Sequence, residues 1–197
     1  ILIATGGSGG HLYPAFAVAD EIEHRWPNVE VRLTTGGRAI EREICASIGR
    51  AALCLPLLPT SEARRHPLRF ARGWWASRRI ARDLIAECRP GCVVGAGGFV
   101  MAPIVQAALD TKTPVILLEQ NVVPGRATRW FSRQAAAVCS SFDQIDPPLK
   151  SSRIHHTGNP VRTAIAALVA RSHCDEGTLL ILGGSQGARA LNDALAW

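Results

Sequence analysis

Thr5-Gly-Gly-Ser-Gly-Gly-His-Leu-Tyr-Pro14, set directly behind the apolar run Ile1-Leu-Ile-Ala4, decides how this chain is read. A short apolar run, a glycine-rich turn and a helical pattern form the opening of a βα unit. Small residues in the turn let backbone N–H groups approach an anion, and Pro14 suits the first turn of a helix expected over residues 13–25. A helix N-terminus aimed at a diphosphate is the natural physical reading of such a loop. The spacing is not G-x-G-x-x-G, because Leu12 stands where a match from Gly7 needs glycine, and no acid ends the second strand at Thr34-Thr-Gly-Gly. Both features speak against NAD. No G-K-[ST] follows the loop, so a nucleotide-hydrolysing P-loop is excluded as well.

The same pattern recurs along the chain. Strands are expected at 1–4, 29–34, 52–58, 92–95, 114–118, 136–140, 153–156 and 178–182. Helices are expected at 13–25, 38–48, 67–88, 101–110, 125–134, 160–171 and 187–197. Near-continuous apolar strands alternating with helices imply a parallel sheet covered on both faces. The fold class is therefore α/β, a Rossmann-like doubly wound parallel sheet. Ligands of such sheets bind beyond the carboxyl ends of the strands. Gly95-Ala-Gly97-Gly98 and Gly183-Gly184-Ser185-Gln-Gly187 occupy that position after the fourth and last strands, as the first loop does after the first. Pro147-Pro148 and Gly158-Asn159-Pro160 mark a boundary, giving an N-terminal domain over 1–157 and a second unit over 158–197. That unit holds one strand and part of a helix, too little to bury a two-sided sheet. It reads as the opening of a second Rossmann-like domain.

Composition narrows the partners. The 197 residues carry 22 Lys+Arg against 16 Asp+Glu, but the stretch from Arg64 to Arg82 holds seven arginines and no acid. Without it, 15 basic residues face 16 acidic ones. The chain is near neutral with one cationic segment, which argues against nucleic acid. No apolar run approaches the ~20 residues of a membrane-spanning helix. The start lacks a Met and a basic flank, so it reads as a strand cut at its front edge rather than a signal peptide. The cysteines at 45, 54, 88, 92, 139 and 174 show no C-x-x-C and read as reduced, mostly buried thiols. Cys88 with Cys92, and His173 with Cys174, lack a second matching pair, so no metal site is expected.

Three further groups carry candidate chemistry. A neutral imidazole at His11 can take a proton from a substrate hydroxyl. Glu119-Gln120-Asn121 brings polar side chains to the ligand edge of the sheet. Arg162, in Asn159-Pro-Val-Arg162, can pair a phosphate or bridge domains.

Taken in order, Gly6-Gly-Ser-Gly-Gly-His11 with Pro14, Gly97-Gly98 with Pro103, Glu119-Gln-Asn121 with Gly125, Gly158-Asn-Pro-Val-Arg162 and Gly183-Gly-Ser-Gln-Gly-Ala188 resemble the MurG family. These are family-28-type peptidoglycan glycosyltransferases of the GT-B fold. The resemblance spans nearly the whole chain. It implies transfer of N-acetylglucosamine from UDP-GlcNAc to lipid I, giving lipid II, with inversion at the anomeric carbon in one displacement. It implies donor contacts from Ser8, Gly9, Gly10, Asn121, Arg162 and Ser185. Gly7, Gly97, Gly98, Glu119 and Gln120 would frame the acceptor diphosphate, and His11 is the candidate base. No cofactor is firmly implied beyond a divalent Mg or Mn ion accompanying the donor diphosphate, and no Asp-x-Asp metal motif is present. The partners implied are UDP-GlcNAc, lipid I, an anionic membrane surface at the inner face of the bacterial plasma membrane, and other cell-wall synthesis proteins, with no nucleic acid. Complete members of the family are about twice this length, so the 197 residues by themselves are expected to be inactive. The chain departs from the family's usual residues at Phe99, Met101, Leu118 and Thr128, each the loss of a polar group near the acceptor side.

The arginine segment fits this reading. Pro67 opens a helix on which Phe70, Trp74, Ala81 and Ile85 face the core, while Leu68, Arg72, Trp75, Arg79 and Arg82 form a second stripe. Aromatic and Leu side chains interleaved with Arg suit a membrane surface. Two other functions stay open from sequence: a GT-B transferase with another lipid acceptor, and a non-catalytic, membrane-docking, acceptor-binding subunit of a split transferase. The donor-type loop at Gly183–Gly187 disfavours the subunit.

Overall fold

The central apolar runs are strands buried on both faces, while the strands at the two edges of the sheet are exposed. A computed structural model describes residues 1–151, 153–168, 181, 183 and 188–195. Contacts divide the chain into two units, Ile1–Thr163 and Ala164–Trp197, a boundary slightly later than the one expected from sequence. The first unit contains β1 (Leu2–Ala4), α1 (Gly9–Arg25), β2 (Arg32–Thr35), α2 (Ala39–Ile48), β3 (Leu53–Cys54), α3 (Pro67–Cys88), β4 (Val93–Gly95), α4 (Met101–Asp110), β5 (Val115–Glu119), α5 (Arg126–Phe131), β6 (Ala137–Ser140) and β7 (Ile154–His156). A short helix, α6 (Thr163–Ala166), starts at the boundary, and the second unit contains α7 (Arg189–Leu195). Cys174 and most of the strand expected at 178–182 and of the loop Gly183–Gly187 lie outside the described residues.

All seven described strands are parallel, in the order β3-β2-β1-β4-β5-β6-β7. This is the doubly wound sheet expected from the sequence. Successive residues of one strand feed opposite layers. Leu2 and Ala4 join the cluster containing Ala81, Ile85, Met101, Ile104 and Val105, while Ile3 joins Leu12, Phe16, Leu33 and Ile44. Val93 and Val94, and Leu117 and Leu118, divide in the same way. A period-2 strand with both faces apolar can be buried only between two helical layers. Here α1 and α2 form one layer and α3 and α4 the other.

Several elements differ from expectation: β2 starts at Arg32 rather than residue 29, α6 covers only 163–166 of the expected 160–171, and two others differ for identifiable reasons. Helix α1 begins at Gly9, not residue 13, because the Ser8 carbonyl accepts the N–H groups of both His11 and Leu12. Gly9, Gly10 and His11 are therefore the first turn of the helix, and Pro14 lies inside it. Strand β3 covers two residues of the seven-residue run at 52–58. It is an edge strand, and Pro56 offers no N–H to continue a ladder. Leu55 and Leu57 are buried all the same. Helix α3 presses close on this segment: a Cβ at Gly73 would lie 2.5 Å from the Pro56 carbonyl oxygen.

Candidate active site

The strand order reverses between β1 and β4, so the loops behind these two strands open a crevice at the switch point. The first and second glycine loops meet in it. Gly98 has φ of 76°, and a Cβ there would overlap the Gly6 carbonyl oxygen, so only glycine permits this approach. Gly97, at φ 101°, leaves room for the His11 imidazole, which a Cβ would strike. The loops that the sequence separates by about ninety residues thus hold the imidazole between them.

The first loop is shaped by a residue that motif reading passes over. Glu41, in the first turn of α2, is fully buried. Its carboxylate accepts the Gly7 N–H at 2.6 Å and the Arg38 N–H at 3.0 Å, while Arg38 Nη1 donates to the Gly7 carbonyl at 2.8 Å. Its local signal was an acid in a helix first turn; its reach back to Gly7 carries no signature in the sequence. With the loop so held, the N–H groups of the first turn of α1, at Gly9 and Gly10, lack intrahelical acceptors and present a positive helix end. Ser8 is the N-cap, and its side chain makes no capping bond.

Behind β5, Gln120 Nε2 donates to the Ala96 carbonyl at 3.1 Å, and Gln120 Oε1 lies 3.0 Å from His11 Nδ1. The Thr5 hydroxyl donates to the His11 carbonyl at 3.1 Å and fixes its backbone. Glu119 turns inward and organises its own loop: its oxygens accept the Asn121 N–H, the Asn121 Nδ2 and the Gly125 N–H, each at 3.0 Å. The Asn121 amide oxygen has no partner among the described residues. Arg162 reaches back to α1, its guanidinium 4.5 Å from the centre of the Tyr13 ring. Tyr13 in turn flanks Gly9. Within the first unit, the loop residues singled out in the sequence are gathered around this crevice, while Ser185 lies outside the described residues.

From His11, Gly97 and Gly98 a cleft of about 740 Å³ runs outward between α3, α4 and α5. Its lining is mostly apolar. Phe99 stacks on Phe70 and on Trp74, at centroid distances of 5.6 and 5.5 Å. Trp75 and Trp130 line it as well, 67% and 75% exposed. The face of α3 expected to turn inward therefore splits: Ala81 and Ile85 enter the core, while Phe70 and Trp74 wall the cleft. Leu68, 80% exposed, stands with Arg72, Arg79 and Arg82 on the open face of that helix. Trp130 on α5, which lines the cleft with Trp75, was not singled out from sequence. The four departures also sort by place. Leu118 and Met101 are buried in the two core clusters, whereas Phe99 and Thr128 line the cleft.

Among the described residues no group of three or more His, Cys, Asp or Glu stands where it could hold a metal, and no helix is long and apolar enough to cross a membrane. The described cysteines are free. Burial raises the thiols of Cys45, Cys92 and Cys139 above their ordinary value.

Residues 1–140 match the glycosyltransferase family 28 N-terminal domain. Two relatives named UDP-N-acetylglucosamine--N-acetylmuramyl-(pentapeptide) pyrophosphoryl-undecaprenol N-acetylglucosamine transferase are each 37% identical. That of Rhodospirillum centenum aligns over 98% of this chain and 52% of its own length, and that of Desulforudis audaxviator over 99% and 55%. The crystal structure of Acinetobacter baumannii MurG superposes with a TM-score of 0.75 at 25% identity, covering 98% of this chain and 55% of that one. The chain spans about half the length of the curated relatives it matches.

Proposed function

The chain belongs to glycosyltransferase family 28, and on that premise we propose that it forms the acceptor side of an inverting transferase. The enzyme moves N-acetylglucosamine from UDP-GlcNAc to lipid I. The observation that carries this reading is the junction at His11. On one side lie the two glycine loops at Gly7 and Gly97-Gly98, whose missing side chains leave room for a diphosphate; on the other lies an apolar cleft. A soluble sugar nucleotide gives no reason for a 740 Å³ apolar cleft, whereas a diphosphate carried on a hydrocarbon chain accounts for both halves.

In the proposed reaction His11 Nε2 takes the proton of the acceptor 4-hydroxyl. The oxygen bonds to the anomeric carbon as the bond from that carbon to UDP breaks, its electron pair leaving on the diphosphate. The N–H groups of Gly9 and Gly10 and the Arg162 guanidinium offset the charge of the departing diphosphate. Ser8, the Asn121 amide oxygen and Ser185 complete the donor contacts. Gly7, Gly97 and Gly98 surround the acceptor diphosphate, with Glu119 holding the loop that presents Asn121. A divalent Mg or Mn ion, where one takes part, accompanies the donor diphosphate.

The enzyme docks peripherally on an anionic membrane through Leu68, Arg72, Trp75, Arg79 and Arg82. Tryptophan fluorescence tests the acceptor side. A long-chain polyprenyl diphosphate is expected to perturb emission, with the change reduced by Trp74→Leu and Trp130→Leu. An equal response to inorganic pyrophosphate would remove the lipid from the assignment.

A further inference from the structure

Gln120 sits where its amide has one usable orientation. The Ala96 carbonyl oxygen lies 3.1 Å from one end of the amide and only accepts, so that end is Nε2, the donor. The other end, Oε1, therefore faces His11 Nδ1 at 3.0 Å and requires a donor there. A neutral imidazole carries a single N–H, and this contact places it on Nδ1. The lone pair is then on Nε2, the ring nitrogen left for substrate in the cleft that His11 lines. We propose that Gln120 is a positioning residue that selects the Nδ1–H tautomer of His11 and so makes Nε2 the proton acceptor.

The surroundings add to the selection. Gly97 leaves the ring no Cβ to rest on, and the Thr5 hydroxyl holds the His11 carbonyl, so the backbone fixes where the ring starts and Gln120 fixes how it is protonated. The two residues are 109 positions apart in sequence and meet because only β4 separates β1 from β5 in the sheet. Motif reading assigns Gln120 to the acceptor diphosphate. Each end of its amide instead bonds a protein group, so the protein and not a substrate sets the orientation of the side chain. The consequence for catalysis rests on the proposed role of His11 as base; the tautomer itself does not.

Two measurements separate these claims. Nitrogen-15 NMR of the histidine ring in the 197-residue chain, at alkaline pH where imidazole is neutral, should show Nδ1–H in the wild type and in Gln120→Glu, which keeps an accepting oxygen. Gln120→Leu should move the signal towards Nε2–H. Both variants lose the bond to Ala96, so a merely structural role predicts equal effects and would overturn the proposal, as would an Nε2–H signal in the wild type. In the complete gene product, Gln120→Leu should lower kcat about tenfold or more with KM little changed, and Gln120→Glu should recover most of the loss. An unchanged kcat alongside the shifted tautomer would support the selection by Gln120 and remove His11 as the base.

Discussion

The carboxylate of Glu41 shows what a single residue contributes to this site. It is fully buried and spends its oxygens on the backbone of Gly7 and Arg38, so the loop keeps its shape without a side chain of its own. Glu41→Ala leaves two donors without their partner and should cost about 1–3 kcal/mol in urea denaturation. Glu41→Gln, which retains one accepting oxygen, should cost less; equal stability of the alanine variant would contradict the account. The motif residues His11, Gly97, Gly98, Glu119, Gln120 and Asn121 could be picked out in the sequence because glycine and polar side chains follow apolar strands. Their division of labour could not. That Glu119 faces its own loop and Gln120 faces His11 depends on the spacing of β4 and β5, which no local pattern encodes.

At the scale of elements, helices α3 and α4 fall where their apolar periodicity and prolines put them, at 67–88 and 101–110. The start of α1 was harder to read, since glycines discourage a helix by propensity and only the bonds accepted by Ser8 draw them in. Helix α3 gives two predictions. Gly→Ala inside a helix ordinarily stabilises by about 0.5–1 kcal/mol. Gly73→Ala should instead destabilise, by about 1–3 kcal/mol, because the new methyl meets the Pro56 carbonyl. A raised melting temperature would refute that packing. The second concerns the exposed stripe. Arg72 and Arg82 make no ion pair among the described residues, and Arg79 has only an exposed partner in Asp83 at 4.0 Å. Each cation near an anionic leaflet contributes about 1 kcal/mol. Reversing all three to Glu should weaken co-sedimentation with anionic liposomes at least about a hundredfold, with no change on neutral ones.

Taken whole, the first unit is a sheet covered on both faces by helices, with the proposed site where the order of the described strands reverses. The sequence made the fold class legible through alternating apolar runs and helical periods. It did not reveal the cleft, because Phe70 and Trp74 lie on the same helical face as the core residues Ala81 and Ile85. Enclosure also makes stability depend on alkaline pH. Cys92 and Cys139 hold their protons more tightly folded than unfolded, so folding stability is complete below the ordinary thiol range and falls as pH rises past about 8.5. Urea midpoints between pH 8 and 10 should decline, and the double variant Cys92→Ala, Cys139→Ala should flatten that decline. The central claim, that this crevice activates a lipid-linked acceptor for glycosyl transfer, is tested most directly by one assay. Labelled N-acetylglucosamine is followed from UDP-GlcNAc to a lipid I analogue, using the complete gene product and its His11→Ala variant. The account predicts a labelled lipid product from the wild type and a rate at least about a hundredfold lower from the variant. Equal rates from the two proteins, or no transfer by the wild type, would contradict it.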